Sequence, residues 1–288
     1  LKVSHIHAVG MGGMGLGPLA IYLAQRGWKV SGEDDALSSR MSDQLERAGV
    51  SIGIAGRDIA ELVVISSAIP QDHPAIKAAE SRGVRICCRG EVLALVARGK
   101  RLVGVAGSHG KTTVTAMIVT ALQSSGVQPS YVLGGLWADA LKAPAASTAS
   151  DWLIAEIDES DGTIDSFSPD ITVVVNLDWD HADRYDEVAK LEHAFAELVV
   201  RTREVAIGPA EGEMANRMLA VQGGTATRKT FGRAGGFELD VAEATRAGLR
   251  LTLAGDFEQT EALVAAWGEF NAMNAVVALA TVQEMGVN

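Results

Sequence analysis

The chain has 288 residues, 36 of them acidic and 25 basic, for a formal net charge of −11. With 48% hydrophobic and 21% charged side chains, it carries enough apolar surface to offset the entropy of ordering, which excludes a disordered chain. The surplus of carboxylates argues against a nucleic-acid partner, because phosphate attraction calls for clustered Lys and Arg. In chain order, Ile6–Val9 reads as the end of a strand, Gly10–Gly15 as a Gly-rich turn, and Leu16–Arg26 as a helix stopped by Gly27. Trp28–Ser31 is a second strand and Ser42–Ala48 lies in a second helix. The continuous apolar run Leu62–Ser66 fits a parallel strand covered on both faces. Pro74–Arg82 is a helix with Pro at its start, and Val84–Cys87 a short strand. This alternation predicts a doubly wound parallel sheet.

A second unit opens near Lys100, with a strand at Leu102–Ala106, a tight loop at Gly107–Gly110 and a helix at Lys111–Ser124. Trp152–Glu156 and Ile171–Val175 read as further buried strands, and 186–200 as a helix. Ala143–Ser147 reads as a flexible surface loop. Leu239–Val241 and Leu249–Leu253 suggest a hairpin, and Asn271–Met285 a final helix. At roughly 100–200 residues per domain, two domains are expected, 1–98 and 99–288. The charge supports the division. Residues 1–100 hold 12 basic and 10 acidic side chains, whereas 101–288 hold 13 and 26.

No apolar run approaches the ~18 residues of a membrane span. The start, Leu1-Lys2-Val3-Ser4-His5, lacks the layout of a signal peptide. The two cysteines, Cys87 and Cys88, are adjacent and cannot staple a fold. A cytoplasmic protein without membrane insertion is the expectation.

Three motifs carry chemistry. Gly107-Ser108-His109-Gly110-Lys111-Thr112-Thr113 lies between a strand and a helix. There, backbone N–H groups and the helix dipole favour phosphate, Lys111 can reach the outer phosphates, and the Thr112 hydroxyl can ligate Mg²⁺. Val105 stands where a strict G-x-x-x-x-G-K pattern would place its first Gly. Gly10-Met11-Gly12-Gly13-Met14-Gly15 fits G-x-G-x-x-G, with Glu33 and Asp34 near the position of a ribose-binding acid. Taken alone it serves a nucleotide, a dinucleotide or mere close packing. Third, Glu156-Ile157-Asp158-Glu159-Ser160-Asp161 and Asn176 through Asp183 end two strands on the edge that carries the phosphate loop. Carboxylates there call for a divalent cation such as Mg²⁺ between them and the phosphates. His5, His7, His73 and His193 read as caps or hydrogen-bonded surface residues.

Together these residues resemble the Mur ligase family of ATP-dependent amino-acid ligases of peptidoglycan synthesis. The resemblance is carried by His7–Gly15, Ser31–Asp34, Ser66–Ile69, Ala106–Thr113, Asp158–Asp161, Asn176–His181 and, more weakly, Gly268–Ala275. It implies a Rossmann-like parallel-sheet N-terminal domain, then a P-loop ATP-binding α/β central domain. The C-terminal Mur ligase domain that would follow is absent from this sequence.

The implied first domain holds the UDP moiety through Gly12, Gly13, Met14, Gly15, Asp34, Ser66 and Ser67. ATP sits on Gly107–Thr113, with Asn271 reading the adenine. Thr112, Glu159 and His181 are the implied Mg²⁺ ligands, and Lys111, Glu159 and His181 the implied catalytic residues. The implied reaction joins L-alanine to UDP-N-acetylmuramate through an acyl phosphate. A tripeptide-recycling ligase, a non-catalytic nucleotide-binding relative, and a nicotinamide-dependent oxidoreductase resting only on Gly10–Gly15 and Asp34 remain alternatives. Phe270 and Arg57 each stand where many relatives place a His.

Overall fold

The computed structural model describes residues 3–159, 161–179 and 187–287. The chain forms two compact units, one of residues 1–100 with 130–151 and one of 101–129 with 152–288.

The first unit opens with β1 (His5–Val9), α1 (Leu16–Gln25), β2 (Lys29–Glu33), α2 (Ser39–Arg47) and β3 (Ser51–Ile52). β4 (Leu62–Ile65), α3 (Pro74–Ser81), β5 (Arg85–Cys88) and α4 (Arg89–Ala97) follow. The five strands lie in the order β3-β2-β1-β4-β5, all parallel. Every residue of β1 and β4 is buried, as expected of strands with helices on both faces. On one face Val9, Val63 and Ile65 pack with Ala75, Ile76 and Ala79 of α3. The helix starts are set locally. The Ser38 side chain accepts from Met41 N–H ahead of α2, and His73 Nδ1 accepts from Ala75 N–H ahead of α3, whose first residue is Pro74.

The chain then runs through β6 (Arg101–Ala106) and α5 (Lys111–Ser124) of the second unit, and returns with β7 (Ser130–Val132) and β8 (Ala145–Ala146). These two short strands pair antiparallel. The sequence marks 143–147 as a flexible surface loop, but Ala145 is fully buried. Gln25 of α1 clamps it, donating to Ala145 O at 3.4 Å and accepting from Ser147 N–H at 2.8 Å. Gln44 of α2 donates to Ala140 O at 2.7 Å, and Arg40 donates to Trp137 O. These bonds tie 130–151 to the first unit, although the segment lies beyond residue 99 in sequence.

The rest of the second unit comprises β9 (Trp152–Glu156), β10 (Ile171–Val174), α6 (Val188–Arg201), β11 (Val205–Pro209), α7 (Glu213–Leu219), β12 (Thr227–Gly232), β13 (Phe237–Thr245), β14 (Gly248–Gly255), β15 (Glu261–Val264) and α8 (Glu269–Glu284). Its strands lie in the order β15-β14-β13-β12-β11-β10-β6-β9. Pairing is parallel from β9 through β13 and antiparallel from β13 to β15. The expected hairpin is therefore longer, and gains a third strand. α5 buries Val114, Ile118, Val119 and Leu122, each contributing about 1.5–3 kcal/mol. Along α8, seven apolar residues between Ala272 and Val282 are buried. α5 and α8 pack on one another, which brings the start of α8 to the loop that precedes α5.

Candidate functional site

The second unit builds its site around the end of β6. That strand lies between β10 and β9, with Ala106 beside Val174 and Val105 beside Glu156. Three strand ends therefore converge on the loop Gly107-Ser108-His109-Gly110. Gly110 has φ +81°, a left-handed conformation that favours glycine, and starts α5 immediately after it. A Cβ on Gly107 would lie 2.9 Å from Asn176 O, so the loop backbone passes close to the segment after β10. Reciprocal bonds stitch the two together. His109 N–H donates to Asn176 Oδ1 at 2.8 Å, and Asn176 Nδ2 returns a bond to His109 O at 2.9 Å. Ser108 Oγ donates to Asp178 O at 2.9 Å and accepts from Asp178 N–H at 3.0 Å.

Lys111 and Thr112 start α5 and turn toward the acidic strand end. Lys111 Nζ donates to Gly107 O at 2.7 Å and reaches both Glu159 oxygens, at 3.1 and 3.0 Å. Glu159 is only 1% exposed. Burial pushes its carboxyl above the usual range, against the opposing pull of the Lys111 charge. The Thr112 hydroxyl donates to Glu156 Oε2 at 3.0 Å, and Glu156 is itself buried. Thr113 is half-buried in the same turn.

From α8, Asn274 Oδ1 lies 3.1 Å from where a Gly110 Cβ would sit, and Asn274 Nδ2 donates to Asn271 Oδ1 at 3.4 Å. Asn271 Nδ2 donates to Trp267 O at 2.9 Å. Phe270 beside it is 89% exposed. The structure thus gathers Gly107–Thr113, Glu159 and, through Asn274, Asn271. His181 lies outside the described residues, as do Ser160, Asp180, Ala182 and Asp183.

The sequence reading placed Glu156 and Asn176 in the two acidic segments at the strand ends and Asn274 in a weakly matching stretch, but gave none of the three an individual role. Glu156 had a signal, as the last residue of a buried strand. Among the described residues no group of three or more His, Cys, Asp or Glu side chains is placed to hold a metal. The Thr112 hydroxyl and Glu156 carboxylate are nonetheless hard oxygen donors beside a phosphate loop. Such a pair suits a Mg²⁺ ion whose remaining shell would come from phosphate oxygens and water.

The first unit presents its own glycine turn where β1 meets α1. Gly10 has φ +86°, and Gly10 N–H donates to Glu33 O at 2.9 Å. Gly12 N–H donates to Asp34 Oδ2 at 2.8 Å, while Asp34 Oδ1 accepts from Ala36 N–H at 2.7 Å. Asp34 therefore braces the turn with both oxygens. A Cβ on Gly15 would lie 2.8 Å from Arg89 Nε, so this glycine makes room for an arginine across the start of α1. Gly13 and Met14 are exposed at the turn. Ser66 and Ser67 follow β4, with Ser66 Cβ 3.0 Å from where a Gly10 Cβ would sit.

At the end of β2, His7 Nε2 lies 3.1 Å from Glu33 Oε1. Arg57 binds Glu33 side-on, through Nε to Oε1 at 2.6 Å and Nη2 to Oε2. Burial alone would raise the Glu33 carboxyl, but the Arg57 and His7 bonds outweigh it and hold it below the usual range. His7 is fully buried, and burial lowers its pKa. It is thus a buried member of a polar chain rather than the cap or surface residue expected from the sequence.

Two family models match the chain. One described as "Mur ligase family, catalytic domain" covers residues 5–101, and one described as "Mur ligase middle domain" covers 105–282. The chain belongs to the Mur ligase family. Similar Mur ligases include the UDP-N-acetylmuramate–L-alanine ligase of Thermobifida fusca, 34% identical over 99% of this chain and 62% of the relative. The ligase of the same name from Geobacter sp. is 40% identical over 69% of this chain and 43% of the relative. Among solved structures, UDP-N-acetylmuramate–alanine ligase of Thermotoga maritima superposes with TM-score 0.85 at 26% identity, covering 99% of this chain and 66% of that one. The UDP-N-acetylmuramate:L-alanyl-gamma-D-glutamyl-meso-diaminopimelate ligase of Neisseria meningitides shares the fold, with TM-score 0.86 at 24% identity over 99% of this chain and 95% of that one. The chain spans 41–62% of the length of such curated relatives. No helix among the described residues is long and apolar enough to cross a membrane.

Proposed function

We propose that this chain is the UDP-sugar-binding and ATP-binding part of a ligase that joins L-alanine to UDP-N-acetylmuramate in peptidoglycan synthesis. The observation that carries the ATP assignment is the loop at 107–113, with Lys111 held over Gly107 O and Thr112 beside Glu156. Its relatives' names supply the substrate class. A nicotinamide-type site in the first unit is disfavoured. Both acids at the end of β2 are engaged, Glu33 by Arg57 and His7, Asp34 by Gly12 and Ala36, and neither is left free for a ribose diol.

A carboxylate is a poor electrophile, so amide formation needs an activated acyl group. An oxygen of the lactyl carboxylate attacks the γ-phosphorus of ATP and ADP departs, leaving an acyl phosphate. The L-alanine nitrogen then attacks the acyl carbon, phosphate leaves, and the nitrogen loses a proton. Backbone N–H groups of 107–113 orient the polyphosphate, and Lys111, released from Glu159, supplies positive charge to the oxygens in transfer. Mg²⁺ would be held by Thr112 and Glu156 and would neutralise phosphate charge. Glu159, also expected from the resemblance to be a ligand, is engaged with Lys111, and His181 is expected on the same grounds. Dependence on ATP and a UDP-sugar fits a cytoplasmic location.

Calorimetry on the chain tests the reading. UDP-N-acetylmuramate and Mg-ATP are each expected to bind at one site, and NAD⁺ at none. NAD⁺ binding without UDP-sugar binding would overturn it. Phosphate release requiring UDP-N-acetylmuramate and L-alanine together, and not an L-Ala-D-Glu-diaminopimelate tripeptide, identifies the amino-acid substrate.

A further inference from the structure

We propose that the end of the α5–α8 pair remote from the phosphate loop carries a second small-molecule site. It takes a small organic cation, an ammonium group on an apolar body of about four or five carbons. The site stands independently of the reading of either nucleotide site.

A cavity of about 120 Å³ opens where the last turn of α5 meets β14, β15 and the last turns of α8. Leu253 and Val282 are buried in its wall, and Phe257, Leu279 and Val287 are half-buried around them. The apolar side chains that α5 and β15 contribute are the short Ala121 and Ala262, which leaves the space unfilled. The turn after β14 is fixed over this space from two sides. Gln283 of α8 ties it down, with Nε2 donating to Asp256 O at 2.8 Å and Oε1 accepting from Glu258 N–H at 2.9 Å. Asp256 N–H donates to Gly236 O at 2.7 Å, and the Phe257 ring packs on Phe237 with centroids 4.9 Å apart. Gly255, at φ +68°, lets the chain enter the turn, since a Cβ there would fall 2.0 Å from Gly236 O.

The lining defines both ends of the ligand. An apolar cavity of roughly 150 Å³ stays dry and takes benzene, so this one has room for a slightly smaller hydrocarbon group. Glu258 and Glu261, both exposed, stand at its mouth, and no Lys, Arg or His lines it. Two carboxylates without a cation attract a positive head group and repel a negative one. The preference is modest, because water and salt screen exposed charges. Ala121 lies about 15 Å along α5 from Lys111, so a ligand here and a phosphate on the loop occupy separate space.

NMR of the chain labelled at its Leu and Val methyls tests the site with three probes of similar shape: butylammonium, butanol and butyrate. Butylammonium is expected to bind in about the millimolar range, as burial of a butyl group supports, and to shift the methyls of Leu253, Leu279, Val282 and Val287. Butanol is expected to bind about threefold more weakly, and butyrate more weakly still. Glu258→Gln/Glu261→Gln is expected to bring the three affinities within about twofold and to leave butanol binding unchanged. Ala262→Leu fills the cavity from an edge strand and is expected to abolish binding of all three probes. Ala121→Leu fills it from α5 and serves where the first variant does not fold. Absence of those methyl shifts with butylammonium would overturn the proposal, as would binding untouched by a folded filling variant or displacement of the probe by ADP. Equal affinities for butylammonium and butyrate in the unaltered chain would overturn the choice of a cation.

Discussion

The Thr112 hydroxyl donates to the Glu156 carboxylate across 3.0 Å, joining the first turn of α5 to the last residue of β9. Both oxygens are hard donors, and Thr112 directly follows Lys111, the lysine that closes over Gly107 O. Glu156→Gln is expected to weaken Mg-ATP binding by tenfold or more while changing Mg-free ATP binding little. A titration of ATP with and without Mg²⁺ checks this. Equal losses in both conditions would assign Glu156 a purely structural part.

Glu159 is expected to behave in the opposite way. Both of its oxygens engage Lys111, so it competes with phosphate for that ammonium. Glu159→Gln should strengthen Mg-free nucleotide binding by a few-fold. If Glu159→Gln instead abolishes the Mg²⁺ dependence, Glu159 is a metal ligand, as the resemblance implies.

The contrast between these two carboxylates shows how far the sequence could be read. Gly107–Thr113 between an apolar strand and a helix was legible, because glycine, lysine and threonine at that spacing have a direct phosphate chemistry. Buried parallel strands such as Leu62–Ile65 were legible from unbroken apolar runs. Which acid in Glu156–Asp161 meets Thr112 was not, because it depends on the register that sets Glu156 beside Val105. The strand at Ala145–Ala146 was missed because two alanines carry no strand preference, and the clamp on it comes from Gln25, 120 residues away. Arg57 and Glu33 are 24 residues apart, and only the fold makes them a pair.

Gly56→Ala is expected to destabilise the first unit by about 1–3 kcal/mol or more, as overpacking does, since the new Cβ would fall 1.9 Å from Ser31 Oγ. Denaturant unfolding measures the loss. No change in midpoint would contradict the close packing of Gly56 against Ser31 and His7.

Glu33 gives the first unit a defined response to acid. Its carboxyl is held below the usual range by Arg57 and His7 in spite of burial. Its contribution is therefore fully present above the unfolded-state value of roughly 4.3 and is lost as the pH falls through the lower folded value. The stability gap between the unaltered chain and Glu33→Gln should be about 1–3 kcal/mol near neutral pH and should shrink in acid. Melting curves across that range check it. A gap independent of pH would contradict the ion pair.

Titration of Mg-ATP into the chain and into its Lys111→Ala variant tests the nucleotide site most directly. One site is expected in the unaltered chain, with affinity reduced at least tenfold in the variant while UDP-N-acetylmuramate binding is retained. Equal Mg-ATP affinity in the two proteins would contradict the placement of ATP on the loop at 107–113.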